Sequence, residues 1–397
     1  MSEVHDPSHL IGDEAVDLVL RMLAIPGKSG QELQIAQFIV QELQNAGIAE
    51  SQIQFDHAHR KSPFGGEVGN LIVKVPGTMR APRKLLMAHL DTVPLCVGCQ
   101  PVRTGNLIRS QNPATALGGD DRAGAATLLN TLKLIQKHQL PHPPLTFFWA
   151  VQEEVGLIGA RHVQISKLGN PKFCFNWDGG PANLATIGAT GDDHLAIEIT
   201  GIASHAGAHP ENGVSAIAIA AKAISSLVEE GWHGKVVKGK KTGTSNIGAI
   251  HGGDATNVVT DHLVLKGEAR SHDPAFRARI VAAYRKAFTA TAKTTKNMAG
   301  KSGSIKFESS NKYESFRLEP QSDVVQSACA AIKKIGLIPE TRISNGGLDA
   351  NWMFAHGLPT VTLGCGQSGI HTVKEVLEID MYLNACRIAL LLATNGN

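Results

Sequence analysis

Four stretches in the first half of the chain are almost continuously apolar: Leu71 to Val73, Leu85 to Ala88, Leu145 to Val151 and Phe173 to Trp177. Short runs of this kind suit strands buried on both faces of a mostly parallel sheet. Between them the spacing becomes helical. Gln31 to Ala46 places Leu33, Ile35, Phe38, Ile39 and Leu43 on one side and stops at Gly47. Arg122 to Lys137 also reads as a helix. Near Gly191 the pattern changes. Leu195, Ile197 and Ile199 alternate with Ala196, Glu198 and Thr200, as in a strand with one wet face. A helix is expected over Asn212 to Val228, an alternating strand over Leu263 to Ala269, and a helix over Pro274 to Thr291. After about Tyr313 the buried pattern returns, with a helix at Asp323 to Lys334, a strand at Thr360 to Leu363 and a helix at Asp380 to Ala393.

This order predicts an α/β protein, a mostly parallel sheet with helices on both faces, interrupted by a smaller inserted α+β domain. The expected boundaries are 1–190 with 312–397 for the larger domain and 191–311 for the insertion. At 397 residues the chain is long enough for two such cores. It contains no internal repeat and no low-complexity segment.

Composition narrows the function classes. A hydrophobic content of 43% with 18% charged residues describes an ordinary folded protein. A net charge of +3 is too small to imply a nucleic-acid partner, and Lys235 to Lys241 reads as a solvated loop. No run approaches the roughly 18 apolar residues of a membrane span. The first residues lack the basic and apolar regions of a secretory signal, and six cysteines suggest free thiols, so a cytoplasmic location is expected. Cys96 and Cys99 form a lone CxxC, read as two loop thiols.

The chemistry lies at the ends of the apolar runs. His89-Leu90-Asp91 closes the second run, Glu153-Glu154 the third and Asp178-Gly179 the fourth, with Gly119-Asp120-Asp121 between them and His371 far downstream. A lone His-x-Asp is more often a surface turn, but the whole series is what a two-metal hydrolytic site needs. Zinc takes imidazole nitrogen and carboxylate oxygen, and a neighbouring carboxylate can serve as general base. In open α/β sheets such sites form beyond the carboxyl ends of the strands. His371 joins the earlier ligands only if the last segment folds back onto the first domain, which makes the middle domain an insertion.

His89-Leu90-Asp91-Thr92-Val93-Pro94, Leu117 to Gly124, Gln152 to Gly156 and Phe175 to Gly179 resemble the dizinc exopeptidases, a family that includes peptidase T, carboxypeptidase G, aminoacylase and succinyl-diaminopimelate desuccinylase. Ser204-His205-Ala206-Gly207, Gly346-Gly347-Leu348-Asp349, and His371 with Glu375 extend the resemblance to the C-terminus, and Asp120 to Gly124 looks closest to peptidase T. Leu348 stands where the resemblance implies threonine. The resemblance assigns His89, Asp120 and Asp178 to one zinc and Asp120, Glu154 and His371 to the other, with Asp120 bridging. It implies that Asp91 orients His89, that Glu153 is the general base, and that the Asp120–Asp121 peptide is cis. Asp121 is read as a loop hydrogen-bonding partner.

The resemblance further implies that His205 is a donor to the substrate carbonyl, lent across a homodimer formed by the inserted domain. Asn257 and Arg270 look like a substrate clamp, since an arginine fork suits a terminal carboxylate. Gly346 and Gly347 either let backbone approach substrate or form a plain tight turn. The expected function is metal-dependent hydrolysis of amide bonds in short peptides, of the tripeptide aminopeptidase type, with two divalent ions, Zn2+ first. The alternatives are a carboxypeptidase or N-acyl-amino-acid amidohydrolase on the same scaffold, and a catalytically silent binding protein. The intact ligand series together with Asp91 and Glu153 argues against the last.

Overall fold

A computed structural model describes residues 6–394. The chain divides into two compact units. One comprises Met1–Gly188, Arg317–Ser344 and Leu348–Asn397, the other Ala189–Phe316 and Asn345–Gly347.

Four strands of the larger unit run parallel, in the order Leu145–Ala150, Lys84–His89, Phe173–Trp177 and Thr360–Leu363. Antiparallel strands flank them, Leu71–Val75 and Ile53–Phe55 beyond one edge and Leu184–Ala189 beyond the other. The sheet is thus parallel at its centre and mixed at its margins. Successive side chains of a strand point to opposite faces, which explains the continuous apolar runs. Leu85 and Met87 pack with Ile72, Phe148, Met353 and Leu358 on one face. On the other, Trp149 Nε1 donates to the Ala125 carbonyl of helix Gly119–His138 at 3.1 Å. Each fully buried Leu or Phe of these strands contributes ~1.5–3 kcal/mol through burial.

The smaller unit is an antiparallel sheet in the order Gly234–Lys238, Lys241–His251, His262–Ser271, Gly191–Thr200 and Ser304–Tyr313. Leu195, Ile197, Ile199, Leu263 and Leu265 point to one face and form a core with Ile219 and Ala223 of helix Ala216–Glu229 and Ile280 and Tyr284 of helix Pro274–Thr294. Two local expectations are corrected here. The first helix begins at Ala216 and not at Asn212, because Ser215 Oγ accepts the Ala218 amide at 3.1 Å and Pro210–Asn212 form a separate 3₁₀ turn. Lys235 to Lys241 belongs to a hairpin and not to a loop, since Val236 is fully buried while Lys235 faces solvent.

Lys84 is a buried cation at the start of the His89 strand. Its Nζ donates to the Leu392 carbonyl of the C-terminal helix at 2.9 Å, and burial pushes its pKa down from 10.5 to about 8. Between those values the unfolded chain holds a proton that the folded chain has released, so the contribution of this group to stability rises with pH. Wild type is expected to gain up to ~3 kcal/mol relative to Lys84→Met between about pH 7.5 and 10.5. A difference in denaturation free energy that stays flat over that range would refute the assignment.

Candidate metal centre and active site

The parallel strands deliver their C-terminal residues to one edge of the sheet. His89 ends its strand, Glu153 and Glu154 follow Leu145–Ala150, and Asp178 follows Phe173–Trp177. His371 lies on the loops after Thr360–Leu363, and Asp120 opens helix Gly119–His138. Helical geometry proper starts at Arg122, because Asp120 and Asp121 have non-helical dihedrals and the peptide joining them is cis, as the resemblance implied. Gly124 is required here. A Cβ at this position would lie 2.4 Å from Asp121 Oδ1 and 2.6 Å from the Trp177 carbonyl.

Asp120 sits between two imidazoles. Its Oδ1 is 3.3 Å from His89 Nε2, and its Oδ2 is 3.3 Å from His371 Nε2. His371 Nε2 is also 3.0 Å from Glu154 Oε1. His89, Asp120 and Glu154 can present one ligand atom each within 4.8 Å of one another. Asp178 is buried at the same edge without a hydrogen bond or ion pair to the other four; desolvation raises its carboxyl to about 7, with Asp120 adding to the rise.

Asp91 ties the parts together. Its Oδ1 accepts the Glu153 amide at 2.9 Å, and its Oδ2 accepts the Glu154 amide at 3.2 Å and the Ser29 hydroxyl at 2.6 Å. His89 Nδ1 lies 3.0 Å from the Asp91 carbonyl and 3.4 Å from its carboxylate. The main-chain oxygen therefore takes the larger share of orienting the ring, and the carboxylate the larger share of orienting the two glutamates. Glu375 does the same for the aspartate loop, accepting the Gly118 amide at 2.7 Å and the Asp120 amide at 3.0 Å. Asp121 accepts the His89 amide at 3.2 Å and the Gly124 amide at 3.0 Å, in keeping with its reading as a loop partner.

The electrostatics are those of a site short of positive charge. Burial pulls the His89 imidazole down, but Asp120 and Asp91 beside it more than offset this and hold its pKa well above the ordinary value. Hydrogen bonds to Asp120 and Glu154 raise His371 to about 10. Desolvation lifts the Glu153 carboxyl well above the usual range, with Asp178, Asp349 and Glu154 repelling its charge. Asp349 is fully buried with neither oxygen hydrogen-bonded, and desolvation raises it to about 8. Such a concentration of imidazole and carboxylate donors, with one carboxylate offering each oxygen to a different histidine, fits divalent metal ions.

The remaining candidate residues lie in the smaller unit. His205 is exposed and pairs with Val258 in an isolated bridge, and the Ala206 amide donates to the Asn257 carbonyl at 2.8 Å. His205 Nδ1 accepts the Gly207 and Ala208 amides at 3.2 and 3.0 Å, so its ring proton sits on Nε2. Arg270 is engaged rather than free, with Nη2 2.9 Å from Glu268 and 3.9 Å from Asp192. Its guanidinium supplies the cation for the Asp192–His194–Glu268 group, which has metal-like spacing of its own. Gly347 has a packing reason, since a Cβ there would meet the Tyr313 ring at 2.4 Å. Gly346 lies beside it in the same unit.

Sequence reasoning overlooked Ser29, and it noted Glu375 and Asp349 without giving either a role. A serine that donates to a distant carboxylate, or a glutamate that accepts distant main-chain amides, has no spacing signature.

The family model for peptidase family M20/M25/M40 matches residues 85–395. The chain belongs to this family. It is therefore a hydrolase of the metallopeptidase class, built on the fold its ligand series implied. The Bacillus subtilis (strain 168) protein YqjE is 31% identical over 362 residues, covering 91% of this chain and 92% of that protein. Among solved structures, a tripeptidase from Staphylococcus aureus subsp. aureus mu50 is 31% identical, with a TM-score of 0.87 and coverage of 97% and 98%. Aminopeptidase PepT from Bacillus cereus ATCC 10987 is 30% identical, with a TM-score of 0.83 and coverage of 97% and 99%.

Glu375 gives a direct test of how the aspartate loop is held. Glu375→Ala removes the acceptor for two buried amides and frees Asp120 to move. Metal affinity, read by competition with a chelator, is expected to fall ~10–100-fold. Unchanged affinity in a folded variant would show that the loop holds its shape without this carboxylate.

Proposed function

We propose that this chain is a two-metal aminopeptidase that removes the N-terminal residue of short peptides, tripeptides first among them. The observation that carries the reading is Asp120, whose two oxygens face His89 and His371 at 3.3 Å each. The likeness to the tripeptidase and to aminopeptidase PepT supports the substrate class. In this reading His89, Asp120 and Asp178 hold one ion and Asp120, Glu154 and His371 the other. The imidazole and carboxylate donors favour Zn2+. When bound there, the ions would supply Lewis acidity towards the scissile carbonyl and lower the pKa of water.

Glu153 takes the proton from the attacking water and passes it to the departing amine, so that its carboxylate is regenerated when the C–N bond breaks. Asp91 fixes the Glu153 amide and hence the reach of its side chain. Asn257, Arg270, Gly346 and Gly347 bind the peptide, with the Arg270 fork directed to its terminal carboxylate. His205 donates from Nε2 to the oxygen on which negative charge develops. The segment 191–311 serves as lid and dimerisation domain, and lends His205 to the partner subunit of a homodimer. Six free cysteines support a cytoplasmic enzyme, one whose partners are short peptides rather than nucleic acid or membrane. A carboxypeptidase or N-acyl-amino-acid amidohydrolase is the second reading, because the same metals and the Arg270 clamp serve the carboxylate that all three substrate types share.

A panel of di- and tripeptides blocked at either end separates these readings. Free tripeptides are expected to be cut, their C-terminal amides more slowly because Arg270 loses its carboxylate partner, and N-acetylated ones spared. Cleavage confined to N-acylated substrates would replace the aminopeptidase reading with the amidohydrolase one. On the substrate found, Glu153→Ala is expected to lose ~10²–10⁴-fold in kcat with metal content retained. Glu154→Ala is expected to lower metal occupancy, and the opposite pattern would exchange the two roles.

Removing the His205 donor is expected to cost ~10²–10³-fold in kcat, with KM less affected. Mixing His205→Ala with Glu153→Ala chains is then expected to restore part of the activity. Heterodimers that form and stay inactive would confine His205 to its own chain.

A further inference from the structure

Glu32 is a fully buried carboxylate that the reaction as described does not use. It immediately precedes helix Leu33–Asn45, and its Oε1 accepts two amides, from Gly30 at 2.8 Å and from Gln152 at 3.1 Å, 120 residues away. We propose that Glu32 is a positioning residue that holds the Gln152–Glu154 turn so that Glu153 points at the reacting atoms, an inference that rests on the reading of Glu153 as general base.

The argument is one of main-chain bookkeeping. Gln152, Glu153 and Glu154 present three successive amides, and all three are taken by buried carboxylates: the first by Glu32, the next two by Asp91. Gln152 has a φ of 55°, the left-handed conformation that a residue with a side chain keeps only when its surroundings enforce it. The enforcement is visible. Its side chain receives the Ser62 hydroxyl at 2.5 Å and donates to the Gly65 carbonyl at 2.8 Å, and its amide is fixed by Glu32. Gln152 is itself fully buried, so without Glu32 its amide has no water to turn to. The turn would then relax towards a commoner conformation and swing Glu153 with it.

The segment carrying Glu32 is braced against the same site. Ser29 donates its hydroxyl to Asp91 and its amide to the Thr92 carbonyl, and Thr92 returns its amide to Gly27. Arg122, fully buried, donates to the Ile25 and Gly27 carbonyls at 3.4 Å and places its charge near both Asp91 and Glu32. Residues 25–32 thus form a strap that reaches the Asp91 loop, the Arg122 helix and the Glu153 turn at once.

Two conservative variants separate position from ionisation. Glu32→Asp keeps the carboxyl group and draws the acceptor back by one methylene, whereas Glu32→Gln keeps an oxygen acceptor in place and removes the ionisable group. Glu32→Asp is expected to lower kcat ~10–100-fold with KM changed less than about threefold and metal content unaltered, while Glu32→Gln stays within about threefold of wild type. In a Glu153→Ala background Glu32→Asp is expected to add nothing, because the residue it positions is gone. Hydrogen exchange at the Gln152 and Glu153 amides, which needs no substrate, is expected to quicken in Glu32→Asp and not in Glu32→Gln. The proposal is overturned if Glu32→Gln is the more damaged variant, if kcat falls only in step with lost metal, or if exchange is unchanged in Glu32→Asp. A wild-type protein that cuts no peptide would count against the aminopeptidase reading alone, since the exchange result stands apart from it.

Discussion

The site depends on the carboxylate of Asp91 more than on any single ligand. It takes the amides of Glu153 and Glu154 and the hydroxyl of Ser29, and its own carbonyl faces the ring of His89. A carboxylate that accepts several donors in a buried place is held as an anion, and each charge-assisted bond is stronger than its neutral counterpart. His89 lies on one strand and the glutamates beyond the next, yet they share one acceptor. Their relative position is set by hydrogen bonds to a rigid strand end.

The strand arrangement makes that sharing possible. Parallel neighbours end on the same side, so His89, Glu153 and Asp178 arrive at one edge without long loops. An antiparallel pair would have sent alternate residues to opposite edges. The antiparallel strands are accordingly kept to the margins of the sheet, away from the ligand-bearing ends.

Much of this was legible in the residues. Continuous apolar runs at Leu85 to Ala88 and Phe173 to Trp177 revealed strands covered on both sides, and the acidic residues after them located the edge. The helix at Asp323–Lys334 and the strand at Thr360–Leu363 have the expected bounds. The start of helix Ala216–Glu229 was misplaced because Pro210 to Gly213 carries turn residues that a helical period overruns, and only the Ser215 cap marks the boundary. The Lys235–Lys241 hairpin was missed because its charge hid one buried valine, Val236. Ser29, Glu32 and Glu375 were hidden for a different reason. Glu32 and Glu375 bind main-chain amides of residues far away, and an amide carries no sequence, while Ser29 donates its hydroxyl to a carboxylate 62 residues on.

The same carboxylates that make the site also burden the fold. Asp120, Asp178 and Asp349 are buried together with Glu153 and Glu154 close by, and each raises the cost of the others' charge. Hydrogen bonds to Asp120 and Glu154 push the His371 imidazole up, and desolvation, with Asp120 beside it, raises the Asp178 carboxyl. A divalent ion held by these groups would compete with protons for them and would stabilise the folded chain. Metal and proton therefore compete for one set of atoms. The framework around them, from Asp91 to Glu32 and Glu375, is held by main-chain amides and a hydroxyl, groups that do not titrate themselves.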